Sequence, residues 1–185
     1  MTANGKEIRK EDLDQVLRND IKLQNYVDIA FKEEFFHVAL TEKPEYNGTQ
    51  LINAKVITSY LRQLLRNDLQ YAPFFMEGME KKVTEIIEIE TSQGKLALNI
   101  GGTIDRIDSK DDTLRIVDYK TGGSPKTPEN IKQLFTPADG RPNYIFQTFL
   151  YASIMCRKQS LKVAPSLLYI HRAASETCLL YTSPS

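Results

Sequence analysis

The sequence predicts an α/β fold, a small mixed central β-sheet of about four strands flanked by α-helices. Three observations carry that expectation. Residues 1–72 repeat their apolar side chains at helical spacing. From about residue 77 the period switches to two, with turn residues between the runs. An apolar helical segment over 143–158 then separates the third strand from the last.

Taken in order, Leu13, Val16 and Leu17 give the i, i+3, i+4 spacing of one apolar helix face. Asn19 and Asp20 suit an N-cap, and the aromatic-rich run from Ile21 to Phe36 continues helical. "EKPEYNGT" (42–49) breaks it with Pro and Gly. "QLINAKVITSYLRQLLRND" (50–68) then carries Leu51, Ile52, Val56, Tyr60, Leu64 and Leu65, a strongly amphipathic helix ending before Pro73.

"KVTEIIEIE" (82–90) and "KLALNIGGTIDRID" (95–108) alternate apolar and polar residues around Ser92, Gln93 and Gly94, which predicts a hairpin. "DSKDD" (108–112) makes the next turn and "TLRIVDYK" (113–120) a third strand. Residues 121–142 are dense in Gly and Pro and read as a long loop with at most one or two helical turns. The helix over Asn143 to Lys158 is apolar nearly all round, which predicts burial against the sheet. "PSLLYIHR" (165–172) is a last strand, and no internal repeat is visible.

One domain over residues 1–176 accounts for this order, with a helical part at 1–72 and an α/β core at 77–172. The tail from 177 to 185, "TCLLYTSPS", reads as cloning-derived or frame-shifted residue.

Hydrophobic residues make up 41% and charged residues 26% of the 185, ordinary values for a globular protein. The 24 basic and 24 acidic residues cancel, which neither supports nor excludes a nucleic-acid partner, because a binding groove needs only a local positive surface. No apolar run approaches the roughly 20 residues of a membrane helix, and the N-terminus lacks the apolar core of a signal peptide, so no membrane association and a cytoplasmic location are expected. Cys156 and Cys178 form no C-x-x-C pair, which argues against a zinc ribbon or iron–sulfur cluster; both are expected to be reduced and structural.

The chemistry concentrates around "LRIVDYKTGG" (114–123). Leu114, Ile116, Asp118 and Lys120 share one strand face. The first two pack on the core, while the acid and the amine emerge at the strand end about 6–7 Å apart at Cβ. Asp105 lies near the end of the neighbouring strand, flanked by Ile104 and Ile107, and the hairpin returns it close to Asp118. Two converging carboxylates repel, and a cation between them relieves the cost. Mg²⁺ suits such a site because it takes hard oxygen ligands and often uses only one or two carboxylates. The Tyr119 carbonyl is a natural further ligand, and Lys120 would stabilise charge on a phosphoryl group or orient an attacking water. Gln147 and Tyr151 stack at i, i+4 on the apolar helix, where the glutamine needs a polar partner that the sheet's active end could supply.

The ordered trio "GGTIDRID", "LRIVDYKTG" and "QTFLYA" resembles the RecB-like branch of the PD-(D/E)XK nuclease superfamily, and within it the nuclease domains of AddB-type helicase–nuclease subunits. The resemblance spans roughly residues 77–172. It implies a restriction-endonuclease-like fold and Mg²⁺- or Mn²⁺-dependent hydrolysis of DNA phosphodiesters, exonuclease-type, in double-strand break repair and recombination. Asp105 and Asp118 then match the metal-binding acids, Lys120 the catalytic lysine, and Gln147 and Tyr151 the Q-x-x-x-Y motif that positions DNA. A helicase domain or a partner helicase–nuclease subunit is implied as well. The family's first-helix motif, often G-x-x-x-H-x-x-(L/M)-E, has no match: no Gly precedes His37 at the right spacing and Thr41 stands where the acid would be. His37 reads as a helix-end residue and Glu33 and Glu34 as solvated face, so an excised fragment with its first helix upstream is expected.

Blander readings remain beside these. Asp118 and Lys120 alone fit a salt-bridged strand end, Asp105 turn chemistry, and Gln147 with Tyr151 satisfied core polar groups. Arg106, Arg115, Lys126, Lys132 and Arg141 either line a DNA path or are solvated charges, and His171 is a strand-end residue. A catalytically incomplete DNA-binding or scaffold module of the same fold, or a stand-alone restriction- or phage-type nuclease, are the alternatives for the whole chain.

Overall fold

The computed structural model describes residues 5–123, 127–136 and 142–170. Two compact units divide the chain near Pro73. In the helical unit, α1 (Lys10–Leu17) is followed by α2 (Asp20–Ala30), which starts where the Asn19 side chain accepts the Lys22 N–H. The helix widens to a π-helical turn over Phe31–Phe36 and stops at His37, whose φ of 52° is left-handed. Helix α3 (Gly48–Tyr71) opens on a capping box, Asn47 accepting from the Gln50 N–H while the Gln50 side chain accepts from the Asn47 N–H.

The core of this unit is Val27, Phe31 and Ala54, with Phe36, Tyr46 and Leu61 packed around them. Of the apolar face expected on α3, Leu51 and Ile52 are 50% and 63% exposed, while Tyr60, Leu64 and Leu65 are half-buried. Close approach is governed by the smallest side chain on a helix. Ala54 admits the neighbouring elements, and Leu61, two turns on, packs against the same cluster.

In the second unit, β1 (Lys6–Ile8), β2 (Phe74–Thr91), β3 (Gly94–Lys110), β4 (Thr113–Lys120) and β5 (Lys162–Tyr169) form one sheet in the order β1-β2-β3-β4-β5. Strands β2, β3 and β4 run antiparallel, whereas β4 and β5 are parallel, so the sheet is mixed. The parallel pair needs a long crossover, and α4 (Ile131–Phe135) and α5 (Asn143–Lys158) lie within it. This is the expected α/β architecture with helices flanking the sheet. The strand beyond the expected four is β1, three residues long and too short to show alternation.

Val83, Ile104, Ile107, Leu114 and Ile116 from the sheet meet Tyr151, Ala152 and Ile154 from α5 in the main core. Leu134 of α4, Ile145 of α5 and Leu167 and Tyr169 of β5 form a second cluster. Helix α5 buries one stripe only, at Ile145, Thr148, Tyr151, Ala152 and Ile154; Tyr144 and Cys156 are exposed. Its all-round apolarity overstated its burial, since this sheet covers a single helix face. The Cys156 thiol is free, as expected, and exposed.

Arg106 and Arg115 are neither solvated nor free to meet DNA. Asp108 faces Arg115 across the β3–β4 ladder and is fully buried. It accepts from Arg115 Nε at 2.9 Å and Nη2 at 2.8 Å, and from Arg106 Nε at 2.8 Å. Arg106 also donates to the Tyr119 hydroxyl at 3.2 Å and lies 4.8 Å above the Phe74 ring. A buried carboxylate shared by two guanidinium groups is costly to assemble and costlier to break.

Removing that carboxylate strands one buried and one largely buried cation. Asp108→Ala should lower stability by about 3–5 kcal/mol, read as the shift in urea midpoint. Asp20→Ala, which loses an exposed 2.9 Å pair to Arg62, should cost under about 1 kcal/mol.

Candidate active site

The β3–β4 register decides where the two acids stand. Its last paired residues are Arg106 and Val117, so one step further Asp105 comes opposite Asp118. There the ladder gives way to a side-chain bond, with the Tyr119 N–H donating to Asp105 Oδ2 at 2.9 Å. Asp105 is thus oriented by the backbone of the strand that carries its partner acid.

Strand β4 is held between β3 and β5, with Asp118 in register with Leu167 and Lys120 with Tyr169. An inner strand buries its side chains, and Asp118 is 6% exposed. Burial, the largest cause, pushes its carboxyl above the usual range; Lys120 pulls it back by pairing, and the nearby Asp105 charge raises it again. The Lys120 amine pairs with Asp118 Oδ2 at 2.5 Å. The acid and amine therefore pair directly, where the strand spacing had left them free to converge on a third point. After Lys120 the chain turns away through Gly123, whose φ of 78° suits a residue without Cβ.

Helix α5 brings the remaining groups. Gln147 Nε2 donates to the Tyr151 hydroxyl at 2.9 Å. The polar partner expected from the sheet comes instead from the same helix, one turn on. Tyr151 is 4% exposed, so its ring packs in the core while its hydroxyl fixes the half-buried amide of Gln147.

Two residues of this region escaped the sequence reading. Tyr144 lies on α5 three residues before Gln147, and its ring centroid is 4.3 Å from Lys120 Nζ. The signal was present as Tyr144, Gln147 and Tyr151 at i, i+3, i+7. Gly102 is the second: a Cβ there would overlap the Tyr151 hydroxyl and ring edge. Adjacent glycines in an alternating strand mark such close approaches, but which helix residue approaches is not written in the strand.

Other candidates stay apart from this group. Arg106 and Arg115 are committed to Asp108, and Lys132 is exposed on α4. Lys126, Arg141 and His171 lie outside the described residues. In the helical unit Glu33 and Glu34 are exposed, and His37 Nδ1 is 2.9 Å from the Glu33 carbonyl, a helix-end contact.

Among the described residues no three His, Cys, Asp or Glu side chains gather as a metal cluster. Asp105 and Asp118 offer two carboxylates, hard oxygen donors. Mg²⁺ commonly takes one or two protein carboxylates and completes its shell with water and phosphate. The buried Asp118, raised by desolvation and by Asp105, is a carboxylate that a divalent cation would relieve, so the residues fit such an ion.

A sequence model of the PD-(D/E)XK nuclease superfamily matches residues 6–178. The chain belongs to that superfamily. Its members are nucleases that generally use divalent metals, and DNA is the substrate class this implies. The match takes in the helical unit as well as the sheet, beyond the span on which the motif resemblance rests. Comparison with curated proteins found no match. No helix among the described residues is long and apolar enough to cross a membrane.

Gly102→Ala should push Tyr151 out of its seat and break the Gln147 bond, since overpacking a close contact costs about 1–3 kcal/mol. The expected outcome is a lowered urea midpoint together with reduced nuclease rate. An unchanged midpoint would show that the strand and helix separate freely at this point.

Proposed function

We propose that this chain is a RecB-like nuclease domain of the AddB type, a Mg²⁺- or Mn²⁺-dependent deoxyribonuclease of exonuclease type. In this reading residues 1–176 act as one domain, with the α/β core at 77–172 carrying the chemistry. It works beside a helicase domain or a partner helicase–nuclease subunit, on double-strand breaks ahead of recombination, in the cytoplasm. The superfamily supports the nuclease chemistry, and the order of "GGTIDRID", "VDYKTG" and Q-x-x-x-Y supports the finer assignment.

The observation that carries the reading is the meeting of Asp105, inside β3 where its ladder to β4 stops, with Asp118 and Lys120 at the end of β4, and Gln147 paired with Tyr151 on α5. Asp105 and Asp118, with the Tyr119 carbonyl, would hold the cation. Bound there, the cation would polarise the phosphoryl oxygen and acidify a water. Lys120 then leaves its ion pair with Asp118 and turns its amine toward the charge that develops on the phosphate, or toward the attacking water. Gln147 places the nucleic-acid strand, and Tyr151, buried, holds the amide of Gln147 in position.

Lys120→Ala and Asp118→Asn should each lower cleavage of DNA by at least about 100-fold, the usual cost of losing one pre-placed electrostatic group. Added Mg²⁺ should raise the melting temperature of the unaltered protein and leave that of Asp118→Asn unmoved. Cleavage that survives both substitutions would place the chemistry elsewhere. Absence of cleavage by the unaltered protein with either metal would favour a DNA-binding module of the same fold.

A further inference from the structure

We propose that Tyr144 is a substrate-contacting residue, its ring holding the Lys120 ammonium on one side and stacking a nucleobase next to the scissile phosphate on the other. The inference rests on the nuclease reading above and extends it to a residue outside the superfamily motifs quoted there.

Tyr144 is 50% exposed, although it stands on the helix that supplies much of the core. A large aromatic left half in solvent, one turn from Gln147 and against Lys120, is poorly explained by packing. The amine sits 4.3 Å from the ring centroid, inside cation–π range. The same amine contacts Asp118 Oδ2, so the ring and the carboxylate hold it from two directions. With Asp118 engaged by a cation, the ring would keep the ammonium from swinging into solvent.

The rest of the ring is available to the substrate. Aromatic side chains beside a phosphate-binding site act as stacking platforms that accept any base, because every base has a π-face. A nucleotide whose phosphate reaches Lys120 has its base within a nucleotide's length of Tyr144. A base inside a duplex is already stacked on its neighbours, so such a platform favours an unpaired nucleotide.

The protein contains no tryptophan, so Tyr144→Trp installs a single reporter at the proposed platform. A fluorescein-labelled oligothymidylate would be titrated with Ca²⁺ in place of Mg²⁺, with binding followed by anisotropy and stacking by Trp emission. The expected result is emission quenched by at least half in step with the anisotropy rise. In turnover with Mg²⁺, Tyr144→Ala should raise KM for single-stranded DNA about 10-fold or more, and Tyr144→Phe should restore it. Binding by anisotropy with Trp emission unchanged would overturn the proposal. So would a Tyr144→Ala variant that loses kcat at unchanged KM, which would confine the ring to holding Lys120. If the unaltered protein binds and cleaves no oligonucleotide, the nuclease reading itself fails, a result distinct from either of these.

Discussion

The antiparallel register of β3 against β4 is the constraint on which the candidate site depends. Pairing Arg106 with Val117 and Asp108 with Arg115 brings Asp105 opposite Asp118. Because side chains alternate along a strand, a slip of one residue would turn one acid away from the other. The buried Asp108, gripped by Arg106 and Arg115, resists such a slip, since any other register would leave charges buried without partners. The ionic cluster therefore acts on the site without being part of it.

That division of labour separates two kinds of buried charge in one small sheet. Asp108 is fully compensated by two guanidinium groups, which suits a structural role. Asp118 has one lysine to set against burial and a neighbouring acid, and its carboxyl is raised in consequence. Such a group is poorly satisfied by the protein alone and gains from a cation, the usual condition of a functional carboxylate. The mobile lysine suits this place better than a second arginine would, because a point charge on a flexible stem can change partners.

Helix α5 connects the core to the chemistry. Ile145, Tyr151, Ala152 and Ile154 anchor it on the sheet, and that anchorage carries Gln147 and Tyr144 to the strand ends. The buried ring of Tyr151 serves both purposes, packing over Gly102 and fixing Gln147 through its hydroxyl. A rigid helix gives a polar side chain a better-defined position than a loop would.

The 92–94 hairpin turn, β4 to the residue and the extent of α5 were legible in the sequence, because alternation and turn chemistry are local properties of neighbouring residues. Strand β1 was not, β2 begins at Phe74 ahead of the expected 82, and β5 covers Lys162–Tyr169 in place of 165–172. Legible too were the candidates Asp105, Asp118, Lys120, Gln147 and Tyr151, whose residue types and order are written along the chain. Local pattern could not say which partner each side chain would choose. Arg106 and Arg115 looked like surface cations until the ladder set them around Asp108. Lys120 turned to Asp118 and Tyr144, Gln147 to Tyr151, and α3 buried Ala54 while Leu51 and Ile52 stayed exposed. Those choices depend on distances between residues far apart in sequence, which only the folded chain brings to a few ångströms.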